Sequence, residues 1–203
     1  MNAVGGFKSI QHNEFLKVLA VQLRAYARRA AGEVVVKVEP QLLAHNVPVV
    51  VNNLPPTLDR ADLLIENLDG SKVFCDLTIS APFTNGLLNQ AAAQAGLAAD
   101  EAKKRKIIKY GARWSFPAAL GMSLQILAME TGGRMHPEFK LWLQTYLKAA
   151  SNDDHMKYYW AWKTTVQRFS VSLRRSIACR MLSLESKALR YPDAHPHAGV
   201  LFG

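Results

Sequence analysis

Two aspartates and a lysine-rich segment carry the chemistry that this chain's residue types and spacing allow. Asp62 lies in Arg60-Ala61-Asp62-Leu63-Leu64-Ile65-Glu66 and Asp76 in Lys72-Val73-Phe74-Cys75-Asp76-Leu77-Thr78-Ile79, with the turn-forming Asp69-Gly70-Ser71 between them. Both runs read as short apolar β-strands, and an acid inside such a strand is costly to bury unless a cation meets it. Paired as a hairpin, the two strands bring Asp62 and Asp76 side by side, and like charges that close repel unless something positive bridges them. Mg²⁺ or Mn²⁺, hard cations that favour carboxylate oxygen and keep several waters, is the natural bridge. Each acid taken alone is as readily a partner for a nearby Lys or Arg.

The elements that must position this pair follow from periodicity. Ser9 to Ala31 reads as an amphipathic helix, with Ser9 as N-cap, Gly32 as stop, and Phe15, Leu16, Leu19, Leu23 and Tyr26 as its apolar stripe. Glu33 to Glu39 is strand-like by its β-branched content, and Val49-Val50-Val51 offers a further short strand before a loop at Asn52-Asn53 and Pro55-Pro56. Leu87 to Tyr110 reads as a helix broken near Gly96. Ser115 to Leu120 reads as a strand, and His136 to Ala150 and Tyr158 to Leu189 as helices. Alternation along the second aspartate strand places Phe74, Asp76 and Thr78 on one face and Val73, Cys75, Leu77 and Ile79 on the other. On the Ala-rich helix, Ala102, Lys106 and Lys109 share a face, which favours those two lysines over Lys103 and Lys104 as neighbours of the acids.

Composition bounds the rest. The chain has 203 residues, 49% of them hydrophobic, enough for one well-buried domain, and no apolar run approaches a membrane span. Only Cys75 and Cys179 are present and the N-terminus lacks a secretory apolar core, so the expectation is an intracellular protein of cytoplasm or nucleus. The net charge of +9 is lopsided: residues 1–99 hold 8 basic and 8 acidic side chains, residues 100–203 hold 17 and 8. An excess confined to one half suits a polyanion such as nucleic acid. Lys103, Lys104 and Arg105, with Arg168, Arg174, Arg175 and Arg180 further on, are the candidate phosphate contacts. Trp160, Trp162 and Phe169 lie close enough to stack bases or, equally, to pack on the core.

Asp62, the hairpin, Cys75-Asp76-Leu77-Thr78-Ile79 and the helix bearing Lys106-Ile107-Ile108-Lys109-Tyr110 together resemble the PD-(D/E)xK nuclease superfamily. They resemble in particular the restriction-like endonuclease domain of non-LTR retrotransposon reverse transcriptases. The likeness spans residues 9 to 133, and it departs at Ala61, where a proline is usual, and at Thr78, where a lysine is usual. In the retroelement branch that lysine migrates to the following helix, which is where Lys106 and Lys109 stand. The resemblance implies an α/β fold: a restriction-endonuclease-like core with a small mixed β-sheet flanked by helices over 1–133. A basic helical extension over 134–190 would pack on it, ahead of a flexible tail over 191–203.

The resemblance further implies a Mg²⁺- or Mn²⁺-dependent DNA endonuclease. Asp62, Asp76 and the Leu77 carbonyl would hold metal, and Lys106 or Lys109 would assist catalysis. Relatives often carry an acid on the first helix, so Glu14 is weighed as a further ligand, against its simpler role of complementing the helix dipole. His12 reads as a packed or capping histidine, Glu101 as a dipole partner, and His195-Pro196-His197 as too few ligands for a metal. The alternatives are a non-catalytic nucleic-acid-binding module of the same fold and a nuclease acting on RNA or branched DNA. Homodimerisation is compatible with either, and no motif demonstrates it.

Overall fold

The computed structural model describes residues 3–27, 34–48, 60–81, 94–112, 114–152 and 154–190; side chains are not described for 3–10, 43, 180 and 183–190. The elements are α1 (Ala3–Ala27), β1 (Val35–Val38), β2 (Leu63–Glu66), β3 (Lys72–Ser80), α2 (Leu97–Gly111), β4 (Met122–Glu130), α3 (Pro137–Ala149) and α4 (His155–Arg190). The four strands form one mixed sheet in the order β1-β2-β3-β4. β1–β2 and β2–β3 are antiparallel, and β4 runs parallel to β3 from Lys72↔Met122 to Ser80↔Glu130. A parallel neighbour requires a crossover, and α2 lies within it.

Both faces of the central strands are covered, which explains their nearly unbroken apolar sequence. Leu63, Ile65, Cys75, Leu77, Leu127 and Met129 join α1, α3 and α4 in one buried cluster. Leu64, Phe74, Ile126 and Ala128 join Ala99 and Tyr110 of α2 in a second. The predicted stripe of α1 is that of the structure: Phe15, Leu16, Leu19, Leu23 and Tyr26 are all buried. Phe15 meets Phe169 of α4 at a centroid separation of 4.4 Å, so residues of the C-terminal helix belong to the same core as the sheet. β1 is an edge strand that turns only Val36 inward, and the exposed Lys37 beside it discourages further strand pairing.

Four boundaries differ from expectation. The first aspartate strand begins only at Leu63, so Asp62 lies at a bend ahead of β2 rather than inside it. Ser115 to Leu120 is not a strand: Ala118–Leu120 is a 3-10 turn and the strand follows at Met122. Pro117 has no N–H to give a ladder. Gly121 takes a φ of 66°, with a Cβ there meeting Ser71 Cα at 3.3 Å, so the chain turns tightly before β4. Helix α1 begins at Ala3 with Ser9 inside it, because Gly5 and Gly6 weaken a helix by about 1 kcal/mol each against Ala without breaking it. Helix α4 begins at His155, where the Asp154 carboxylate accepts the Lys157 N–H at 3.0 Å, a cap legible in Asp153-Asp154. The expected stop at Gly32, the strand at Val49–Val51, the helix segment before Gln94 and the tail over 191–203 lie outside the described residues.

The structure is thus an α/β protein with a small four-stranded mixed sheet flanked by helices. Among the described residues, no helix is long and apolar enough to cross a membrane. Because Phe169 fills core space shared with Phe15, Phe169→Ala is expected to lower the unfolding free energy by about 3–5 kcal/mol. Urea denaturation measures this; a loss under about 1 kcal/mol would mean that α4 contributes little to the core.

Candidate active site

Asp62 precedes β2 at a bend, one residue before the Leu63↔Cys75 pair, and its N–H bonds the Cys75 carbonyl at 3.0 Å. β3 runs on to Ser80 after β2 ends, leaving the Leu77 N–H beyond that ladder. Asp62 supplies the missing acceptor: its Oδ2 takes the Leu77 N–H at 2.6 Å. The same oxygen lies 3.0 Å from Nε2 of His12 on α1. Pleat alternation groups Asp62 with Leu64 on the α2 side, yet its carboxylate reaches a helix on the opposite side. A residue at a bend is not bound by the pleat.

Asp76 sits mid-strand and is buried. From α2, the Tyr110 hydroxyl donates to its Oδ1 at 2.7 Å and also lies 3.2 Å from the Arg60 carbonyl. Lys106 Nζ forms an ion pair with Asp76, 2.7 Å from its buried Oδ2. Lys106 and Tyr110 are one helical turn apart and so share a face. Ala102, a further turn back and buried, lets that face approach the sheet. Burial pushes the Asp76 carboxyl above its ordinary range; Asp62 pushes the same way, and Lys106 and Tyr110 oppose without cancelling them. His12 moves up from its ordinary value chiefly through its hydrogen bond to Asp62, against the effect of burial.

The sequence-derived candidates separate cleanly in space. Asp62 meets Leu77 through the latter's N–H rather than its carbonyl, and Asp76 meets Lys106. Lys109 is next door but turned away, 5.6 Å over the Tyr110 ring in a small notch with Arg60 and Trp114. Lys103 pairs with Glu138 of α3, Lys104 with Glu101 at 2.8 Å, and Arg105 is exposed. Glu14 is exposed and bonded to Lys17 at 2.9 Å; the first-helix side chain that reaches the aspartates is His12. His12 lies two positions earlier, about 200° around the helix. The sequence reading missed it because a lone histidine has no acid partner until the fold supplies Asp62. Arg168, Arg174 and Arg175 are exposed on α4, while the Arg180 side chain and His195 to His197 lie outside the described residues.

Among the described residues, no group of three or more His, Cys, Asp and Glu converges to hold a metal ion. Hard divalent cations such as Mg²⁺ are commonly held by one or two carboxylates and waters, so the pair is weighed on its own donors. Asp62 and Asp76 are near enough for the charge of one to act on the other, and two carboxylates completed by waters are a donor set that a hard divalent cation fits, with Lys106 already 2.7 Å from one Asp76 oxygen.

Two stability measurements probe this electrostatic arrangement. A raised Asp76 pKa means stability falls as pH rises through it, so Asp76→Asn is expected to raise the urea midpoint at pH 7 in EDTA and to do so less near pH 3. An unchanged or lower midpoint at pH 7 would show that Lys106 fully compensates the charge. The raised pKa of His12 contributes stability below about pH 6.5, lost as pH rises through the folded-state value. His12→Ala is therefore expected to cost more stability at pH 6 than at pH 9, and an equal cost at both would remove the charge from that contact. Comparison with known proteins returns no match, whether to a protein-family model, a curated protein or a solved structure.

Proposed function

We propose that the chain is a metal-dependent endonuclease that hydrolyses phosphodiester bonds, with DNA as its substrate. The observation that carries this reading is the junction of Asp62, Asp76 and Lys106: two carboxylates at one end of the β2–β3 pairing, with a helix lysine 2.7 Å from the buried one. The likeness to PD-(D/E)xK nucleases, in which a lysine from the following helix replaces the one absent at Thr78, supports it. A Mg²⁺ or Mn²⁺ ion held by Asp62 and Asp76 would polarise the phosphate and lower the pKa of the attacking water.

The chain's own residues perform the remaining tasks. His12 and the Leu77 N–H fix the Asp62 carboxylate, and Tyr110 fixes Asp76. Lys106, held in place beforehand, offsets negative charge that develops on the phosphoryl oxygens in the transition state. Exposed arginines of α4 and Arg105 of α2 supply charge for the polyanion.

A second reading has a specific observation in its favour. Lys106 already gives Asp76 a positive partner at 2.7 Å without a metal, as expected of a non-catalytic nucleic-acid-binding module on the same scaffold.

Asp62→Ala and Asp76→Ala are each expected to abolish Mg²⁺-dependent cleavage while leaving DNA affinity within a few-fold, and Lys106→Ala to lower the rate about 10²–10³-fold. Linear, nicked, branched and single-stranded DNA, and RNA, incubated with and without Mn²⁺, form the assay. Cleavage that survives either aspartate change sinks the site; binding without cleavage of any substrate selects the second reading. Affinity is also expected to fall steeply with salt through counterion release, and a salt-independent affinity would remove the basic half as the docking surface.

A further inference from the structure

The aromatic residues near the α4 arginines divide in the fold. Phe169 is buried against Phe15, and Trp162 is half-buried on the core. Trp160 is 54% exposed and Tyr159 beside it 46%. Their rings meet edge to face at 5.6 Å, and Lys163 Nζ lies 5.1 Å from the Trp160 centroid and 5.9 Å from that of Tyr159. Two large rings left about half exposed beside a lysine form a surface able to take a flat ligand.

A cavity of about 670 Å³ opens beside Trp160. Met156, Trp160, Thr164 and Arg168 line it at successive four-residue steps of α4, with Tyr26 of α1 and Lys157 at its margin. Lys163 is not among its lining, so one side of Trp160 belongs to the lysine and the other to the open space. Asp154, the acid at the rim, is held 3.2 Å from Lys157 and compensated by it. Arg168 therefore sets the sign of the cavity, which is positive, and Lys163 adds positive charge against the Trp160 ring. A flat apolar ring, a cavity the size of a small ligand and flanking cations match an unpaired nucleobase with its phosphate.

We propose that Trp160 is a stacking platform for an unpaired base of single-stranded nucleic acid, with Arg168 and Lys163 meeting the adjoining phosphates. The assignment rests on the nucleic-acid reading of the chain but not on cleavage. Tyr26, whose hydroxyl bonds the Ala161 carbonyl at 3.3 Å, fixes the cavity's height along α1. That is 14 residues from His12, about 21 Å along the helix or about six base-pair steps at 3.4 Å each. A substrate touching both places would present an unpaired stretch to Trp160 and duplex to the aspartates.

Fluorescence anisotropy of labelled oligothymidylate and of a duplex of equal length, titrated in EDTA, tests the platform apart from catalysis. Trp160→Ala is expected to weaken single-strand binding about 5- to 100-fold, the range for one lost stacking contact, and to leave duplex binding within about two-fold. Trp160→Phe is expected to restore most of the single-strand affinity. Wild-type affinity for the single strand in Trp160→Ala would overturn the platform, as would equal losses on both ligands, failure of Phe to restore binding, or no single-strand binding by the wild type. A protein that shows the expected pattern yet cleaves nothing would overturn the nuclease reading and leave the platform standing.

Discussion

A carboxylate on a strand covered on both faces has to be met by positive charge, by hydrogen-bond donors or by a proton, and Asp76 brings this constraint to the centre of the sheet. Much of α2 can be understood from it. Tyr110 and Lys106 descend on Asp76 from one helical turn to the next, and Ala102 keeps the approach short. The parallel β3–β4 pairing sets α2 within the crossover that lies over this face. Compensation is incomplete, as the raised Asp76 pKa shows: burial and Asp62 outweigh Lys106 and Tyr110. A fold selected for stability alone has a cheaper solution, since replacing a buried ionic group by an apolar one of similar volume is often neutral or stabilising. Under the proposed function, the retained charge would have a use at this point.

Asp62 meets a different environment. It lies at a bend with His12 and the Leu77 N–H on one oxygen, is partly exposed, and is answered from α1 rather than α2. Two acids of one cluster are thus held by two different layers, one on each side of the sheet. The hairpin aligns the backbones, while α1 and α2 each orient one carboxylate. The packing of Phe15 on Phe169 ties α1 to α4, so the helix that carries His12 is anchored by the C-terminal half of the chain. Charge is likewise divided: the acids sit in the neutral half and the arginines in the basic half. An exposed Trp160 on α4 extends the accessible surface well away from the acid pair.

Local pattern alone determined a good deal. The apolar stripe of α1, the β2–β3 hairpin with its Asp69-Gly70-Ser71 turn, and the lysine helix are short-range features that survive in the structure, although Asp62 itself lies at a bend just ahead of β2. That Lys106 and Lys109, rather than Lys103 and Lys104, face the acids was the expectation legible from Ala102, Lys106 and Lys109 sharing a helix face, a matter of three- and four-residue spacing. The error at Ser115 to Leu120 has a local cause too: Pro117 and Gly121 were present to be read, and the apolar residues between them obscured the signal.

Only the tertiary structure decided which of several equivalent side chains met. Lys109 shares the Lys106 face by spacing, yet in the fold one lies on Asp76 and the other over Tyr110. His12 and Glu14 are two residues apart, and only docking of α1 on the sheet turned His12 to Asp62 and left Glu14 in solvent. Trp160, Trp162 and Phe169 were indistinguishable by type, and burial separated them. The physical reason is common to all three cases. Periodicity specifies which residues share a face, whereas the roll of a helix about its own axis is set by core packing, through contacts between residues far apart in the chain.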